Sequence, residues 1–231
     1  MKIQQPKISA NLELKELEEI FQDEDDIVEV AKIENANLSN KVLQRFVVYG
    51  SYIKDCDFSN SDLGRADFTD VIFENCDFSN TKMDHGSIHR VTFKNCRMTG
   101  TLFNYMRFGN IVFDEVKADF ISVVDSKIEA LVTQKSNFEN AEFHNSTLKK
   151  VVFDDSNFEN AEFHNSTLKK VVFDDSNLEH LSIYQTPLKG CDLSQSYFES
   201  FVVNKEDLLG CKVSRNQAVQ FAALMGLVIV E

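Results

Sequence analysis

Three groups of side chains in this 231-residue chain have the types and spacing that chemistry uses. His144 and His164 stand twenty residues apart in identical surroundings, as a metal-binding pair would. Cys56, Cys76 and Cys96 share that spacing and could form a thiol ladder. Asp154 and Asp155 recur as Asp174 and Asp175, adjacent acids of the sort a hydrolase uses as a dyad. Each group fails a second requirement. No third ligand for the histidines is evident among His85, His89 and His180. Thiols on a single line lack the tetrahedral arrangement zinc needs, so these cysteines read as small buried fillers. Catalytic acids need a pocket that tunes their pKa, and no phosphate loop, dinucleotide fingerprint or nucleophile elbow occurs. The expectation is no enzymatic activity, no cofactor, no metal and no small-molecule substrate.

What the three groups share is the interval. From Ala31 the chain falls into rows of five, such as CDFSN, SDLGR, ADFTD and VIFEN. The third column is large and apolar: Phe58, Leu63, Phe68, Phe73, Phe78, Met83, Ile88, Phe93. Of the 20 Phe, 15 stand in it, where an even spread would leave about four. The first column is small or compact, and the other three are mostly Asp, Asn, Ser, Glu, Lys and Arg. Neither a 3.6-residue nor a two-residue period gives this pattern. Two inward residues in five require a chain that turns a corner each fifth residue. Four corners close a square, so one coil takes twenty residues and stacks on the next about 4.8 Å away as parallel strands. Rows containing Ala118 and Thr133 in the central column should leave poorly filled rungs.

Residues 136–155 recur without change as 156–175. The repeated block is one full coil, so it lengthens the rod and returns every later residue to its original face. It also carries its own core, Phe158, Phe163, Leu168 and Phe173, at roughly 1.5–3 kcal/mol for each buried large side chain. Identity over a whole coil points to a very recent duplication or to deliberate engineering.

These rows resemble the pentapeptide-repeat family, whose pattern is small, Asn or Asp, Leu or Phe, then two polar residues. That resemblance covers residues 31–205 and implies an all-β fold, a right-handed quadrilateral parallel β-helix. Residues 1–30 form an N-terminal cap in this reading, with Leu14, Leu17 and Phe21 on a short amphipathic helix before the acid run Asp23 to Asp26. Residues 206–231 form a C-terminal helix and tail. Ser214 and Gln217 make a capping box there, and Gly226 suits the helix end. Val219, Phe221, Ala222, Leu224 and Met225, then Leu227 and Ile229 in an apolar tail, are more than a monomer readily hides, and they point to a homodimer.

The segments FKNCRMTGTLF and FDEVKADF and the ending SRNQAVQFAALMGLVIV resemble the quinolone-resistance members of that family, in particular the loop-free forms of Gram-positive bacteria. The resemblance implies a dimeric rod that mimics duplex DNA, binds DNA gyrase and topoisomerase IV, and protects them from fluoroquinolones. The alternative is a non-enzymatic structural or interaction scaffold, lengthened to study repeat packing and without topoisomerase activity.

The charge pattern bears on that choice. Formal net charge is −13, which opposes direct binding of nucleic acid or an anionic membrane. Stacked twenty apart, Asp119, Glu139, Glu159, Glu179 and Glu199 form one line. The next face carries Glu74, Asp114, Asp154 and Asp174, with Glu115, Asp155 and Asp175 beside them. Another face collects Lys149, Lys169 and Lys189 with Lys150 and Lys170. Two adjacent acidic faces and one basic face suit an electropositive partner better than interspersed signs would. No run of 18 apolar residues and no signal-peptide centre occurs, so a cytoplasmic protein is expected.

Overall fold

The computed structural model describes residues 2–16, 27–43, 45–222, 224 and 226–230. Its strands pair in parallel at a constant offset of twenty, from Ile27 opposite Val47 to Asp192 opposite Lys212. The result is an all-β solenoid of about nine turns. We number its faces by the rows of one coil: first 66–70, second 71–75, third 76–80, fourth 81–85. Eight-residue strands such as Asp67–Glu74, Thr147–Asp154 and Thr167–Asp174 cross the corner between the first and second faces. Three-residue strands such as Leu102–Asn104, Ser122–Val124, Glu142–His144 and Glu162–His164 build the fourth face. The third is held by single bridges, Asn137 to Asn157 to Asn177 to Tyr197.

Each column of the repeat has a physical reason. Central residues fill the shaft: Phe58 and Phe78 are buried and stacked at 4.7 Å, and Phe138 and Phe158 at 5.0 Å. The fifth residue makes the corner in the left-handed region, as at Asn60 (φ 56), Asp70 (φ 57) and Asn160 (φ 56). That conformation costs other L-residues about 1–2 kcal/mol and suits Asn and Asp. At the second position Asp57 and Asp77 accept the backbone N–H two residues on, each at 2.8 Å. At the first, Ser136, Ser156 and Ser176 each donate an N–H to the hydroxyl one coil later, at 3.2–3.3 Å. A small hydroxyl there satisfies a corner amide that no strand would otherwise reach.

The rungs expected to be thin, those of Ala118 and Thr133, are fully buried and do not border the cavity of this coil. Coil 116–135 offers Ala118, Val123, Ile128 and Thr133 between two coils rich in Phe. A closed cavity of about 20 Å³ lies against Val123 and Ile128, under Phe138, Phe143 and Phe153. Thr133 replaces the lost packing in part with a 2.9 Å hydrogen bond to the Ser156 hydroxyl.

Both ends differ from the sequence expectation. The solenoid starts before residue 31, because Ile27–Glu29 already pairs with Val47–Tyr49 and Val28 is buried. It also runs past 205, since Asp192 bridges Lys212 and the Leu193 N–H donates to the Lys212 carbonyl. Leu14 is not helical: Glu13–Leu14 is a short strand paired with Ala31 and Lys32, and Leu14 is exposed. Leu17, Phe21 and Asp23 to Asp26 lie outside the described residues. Ahead of that strand, the chain follows the corner between the first and second faces. There Gln4 donates its N–H to Asn110, and Lys7 donates to Asp70 at 2.9 Å.

The only described helix, α1 (Arg215–Ala222), closes the other end. Its capping box is formed: Gln217 accepts the Ser214 N–H at 2.8 Å, and Ser214 accepts the Gln217 N–H at 3.2 Å. The same Gln217 amide donates to the carbonyls of Leu193 and Ser196, at 2.8 and 2.7 Å. Gln220 reaches the Phe198 carbonyl at 3.1 Å. Edge carbonyls that the next coil would have bonded are thus taken by helix side chains, which blocks end-to-end growth. Among the described residues, no helix is long and apolar enough to cross a membrane.

Candidate functional site

The twenty-residue register brings the predicted acids into lines. Asp114, Gln134, Asp154 and Asp174 are consecutive partners on the second face. On the third, backbone bonds from Phe120 to Glu139, Asn140 to Glu159 and Asn160 to Glu179 fix successive rungs. Asp119, Glu139, Glu159 and Glu179 therefore climb one face, spaced by the strand separation of about 4.8 Å. At the next turn the His180 N–H donates to the Ser200 carbonyl, so Glu199 ends the line out of that register.

Their chemical states differ. Glu74 accepts the Tyr52 hydroxyl at 2.8 Å, and burial together with that carboxylate pushes the phenol up to about 12. Asp119 accepts the Thr99 hydroxyl at 2.9 Å. Glu139 takes a long hydrogen bond from Asn140, 3.5 Å. Glu179 binds the backbone N–H groups of Glu199 and Ser200 and so helps shape the last coil. Asp114, Glu115, Asp154, Asp155, Glu159, Asp174, Asp175 and Glu199 have no side-chain hydrogen bond or ion pair among the described residues.

The basic face is partly neutralised at its lower end. Glu129 bridges Lys149 at 3.0 Å and Lys150 at 3.4 Å, and both ammonium groups hold its carboxyl below the usual range. Arg90 grips Asp70 through two 2.6 Å bonds and lowers its carboxyl, with Lys7 adding a backbone bond. That pair fixes the N-terminal strap to the corner.

His144 and His164 do stack, edge to face at 5.5 Å, and Glu162 lies 3.7 Å from His144. No group of three or more His, Cys, Asp or Glu is placed to hold a metal among the described residues. Cys56, Cys76, Cys96 and Cys191 are buried. A hydrogen bond with Cys76 and burial push the Cys56 thiol up, and burial raises Cys191 to about 11.

The C-terminal apolar residues split into two groups. Phe221 is buried in its own chain against Phe198 and Phe201, with centroids 5.4 Å away from each, and Ala222 is half-buried. Phe221 is therefore spent on capping and does not present a dimer surface. Val219, Leu224, Leu227 and Ile229 are exposed. Met225 lies outside the described residues. The tail 227–230 forms no strand and Val228 is 88% exposed.

The sequence reading missed one feature. Phe120, Tyr105 and Leu102 are exposed on the fourth face and its corners. The signal was present, since Phe120 stands in the fifth column, where Asn, Asp or Gly suits the backbone.

Comparison with known proteins places this geometry. A pentapeptide repeat region is matched at residues 66–137 and 86–163, and pentapeptide repeats in eight copies at 156–195. No curated protein matches the chain in sequence. A trypsin-treated form of QnrB1, described as a plasmid-mediated fluoroquinolone resistance protein, superposes with a TM-score of 0.52 at 16% identity. The match covers 89% of this chain and 92% of that one. HetL, a pentapeptide repeat protein involved in heterocyst differentiation regulation from the cyanobacterium Nostoc sp. strain PCC 7120, gives 0.43 at 12% identity, over 86% and 89% of the two chains.

Proposed function

The chain belongs to the pentapeptide-repeat family, and from that premise we propose that it is a non-enzymatic, DNA-mimicking rod that binds type II topoisomerases and shields them from fluoroquinolones. The observation that carries this reading is the line of Asp119, Glu139, Glu159 and Glu179, with Glu199 at its end, flanked on the next face by acids without partners. Carboxylates borne on evenly spaced rungs of a parallel stack present charge at a regular interval, as a nucleic-acid edge does.

Magnitude limits the mimicry. About nine turns at ~4.8 Å make a rod of roughly 40 Å. Duplex DNA of that length carries about 24 phosphates, against a net charge of −13 for this chain. The rod imitates one edge of a duplex. Two copies joined at their C-terminal ends through Val219, Leu224, Leu227 and Ile229 would present two such edges about a twofold axis. That arrangement suits a twofold-symmetric DNA-binding saddle on gyrase or topoisomerase IV, and it needs no direct contact with nucleic acid.

The test is gyrase supercoiling in the presence of ciprofloxacin, with the full chain and a version lacking residues 156–175 assayed side by side. Rescue by at least one form is expected. Failure of both, with folded and dimeric protein, would reduce the molecule to a structural scaffold.

A further inference from the structure

Phe120 breaks two rules of the repeat at once. Its backbone is left-handed (φ 58), in a column where Asn160 and Asn140 are typical occupants. Its ring is 59% exposed and makes no aromatic pair among the described residues. Ala118, Val123, Ile128 and Thr133 fill the core of the same coil, so this turn lacks Phe inside and wears one outside. An aromatic side chain held at conformational cost in water does nothing for folding that Asn would not do better.

It is not alone. Leu102 is 39% and Tyr105 53% exposed. Ser122 pairs with Leu102 and Val124 with Asn104, which puts Phe120 diagonally beside Leu102, one coil apart. The Tyr105 N–H donates to the Val124 carbonyl at 2.9 Å, so half-buried Val124 continues the patch to Tyr105. Tyr105 is stacked on His85, with centroids 4.6 Å apart and planes 3° from parallel. Tyr105 is thus held in place before any partner arrives, which lowers the entropy lost on binding at that residue. Its rim is acidic. Asp119 is the lowest rung of the third-face line, Asp125 is exposed beyond Val124, and Glu142 is exposed above Ser122.

We propose that Phe120, with Leu102 and Tyr105, is the apolar anchor by which the acidic rod seats on its protein partner, entering an apolar socket with a basic rim. The inference rests on the topoisomerase reading above and adds to it the residues that fix where along the rod the partner sits. Charge along a ladder of equal rungs permits sliding by one coil. A single aromatic anchor at one end of the ladder removes that freedom. Buried aromatic anchors of this kind dominate interface energies, while rim charges chiefly steer encounter.

The corner geometry supplies a clean test. Phe120→Asn keeps the left-handed corner and removes the ring. Its thermal and urea midpoints should equal or exceed those of the parent chain. Its affinity for immobilised gyrase, by surface plasmon resonance, should fall about tenfold or more. Leu102→Ser, which leaves the corner untouched, should weaken binding in the same direction. Equal binding by parent and both variants overturns the anchor while leaving the topoisomerase reading intact. Absence of gyrase binding by the parent chain overturns that reading and this partner with it. A fall in stability in Phe120→Asn would show that the ring serves the fold instead.

Discussion

Removing residues 156–175 and removing 156–170 should have very different consequences, although each deletes whole rows and keeps the core column in phase. In the first deletion every downstream residue keeps its face. Ser136, whose N–H now donates to the Ser156 hydroxyl at 3.3 Å, would meet Ser176, and Ser146 would meet Thr186 in place of Ser166. Phe138, Phe143, Leu148 and Phe153 would lie under Leu178, Ile183, Leu188 and Leu193, all buried in the present core. In the second deletion all downstream rows move one face around the square. Ser136 would then lie under Val171 and Ser146 under Leu181, neither of which can accept a hydrogen bond. Two buried N–H groups left without acceptors cost about 1–3 kcal/mol each, roughly 2–6 kcal/mol together. Two larger side chains would also crowd a column built for hydroxyls. Urea unfolding followed by far-ultraviolet circular dichroism measures the difference. The twenty-residue deletion should keep its midpoint close to that of the parent, with an m-value lower by about a ninth because one turn less is exposed. The fifteen-residue deletion should lose those several kcal/mol. Equal stability of the two would refute the claim that the hydroxyl ladders and the four-sided register hold the coils together.

Two further outcomes follow from the ends and the thiols. Gln217→Ala should lower stability by about 2–4 kcal/mol in the same assay, because the Ser196 carbonyl and the Ser214 N–H lose this partner together while the Leu193 carbonyl keeps only the Ser196 N–H. It should also promote end-to-end association, seen as concentration-dependent mass in light scattering. Cys191, raised by burial to about 11, should resist a thiol-specific disulfide reagent at pH 8 until the chain unfolds. The sign of the linkage is that a thiol kept neutral adds stability below its unfolded pKa near 9 and loses it as pH climbs toward 11. Rapid native-state labelling at pH 8, or stability rising over that range, would contradict the burial.

Much of the fold was legible because the repeat writes each structural duty into a fixed column. The central Phe and Leu residues read as core and acids twenty apart share faces, whereas the cavity of coil 116–135 lies at Val123 and Ile128 and not at Ala118 or Thr133. What escaped lay where the columns are disguised. Val28 and Val213 obey the central column, but their rows lack Asn or Asp in the second and fifth positions. The Leu208 row, with Asp207 and Gly210 in place, is disguised by Glu206 in the small column and Leu209 in the polar one. Leu14 and Leu17 have helical spacing, yet Glu13–Leu14 pairs with Ala31 and Lys32, because the open edge of a first coil offers backbone partners that outweigh a weak helical preference. Phe221 shows a different limit: an apolar residue on a short terminal helix looks the same whether it seals its own coil or meets a second chain. Only the rings of Phe198 and Phe201 beside it decide between them. The Gln217 contacts to Leu193 and Ser196 span 24 and 21 residues, and no local pattern encodes them.

The fourth column is the one place where this fold leaves composition free. Positions one and three are inside, position five must turn the corner, and position two often ties down the turn. On the third face the fourth column reads Ser39, Ser59, Ser79 and Thr99 in the N-terminal half, then Asp119, Glu139, Glu159, Glu179 and Glu199. Neutral residues are therefore tolerated there. Adjacent like charges about 5 Å apart repel by roughly 0.8 kcal/mol at the dielectric of water, before salt screening. Four such gaps set a cost of about 3 kcal/mol against the acidic half. Asp119 offsets it in part through Thr99, Glu139 through a long bond from Asn140, and Glu179 through the backbone of Glu199 and Ser200, while Glu159 and Glu199 have no such bond. Solubility would be served equally by alternating signs at no such cost. A line of one sign, kept where serine is demonstrably acceptable, is better explained by something that reads the line from outside.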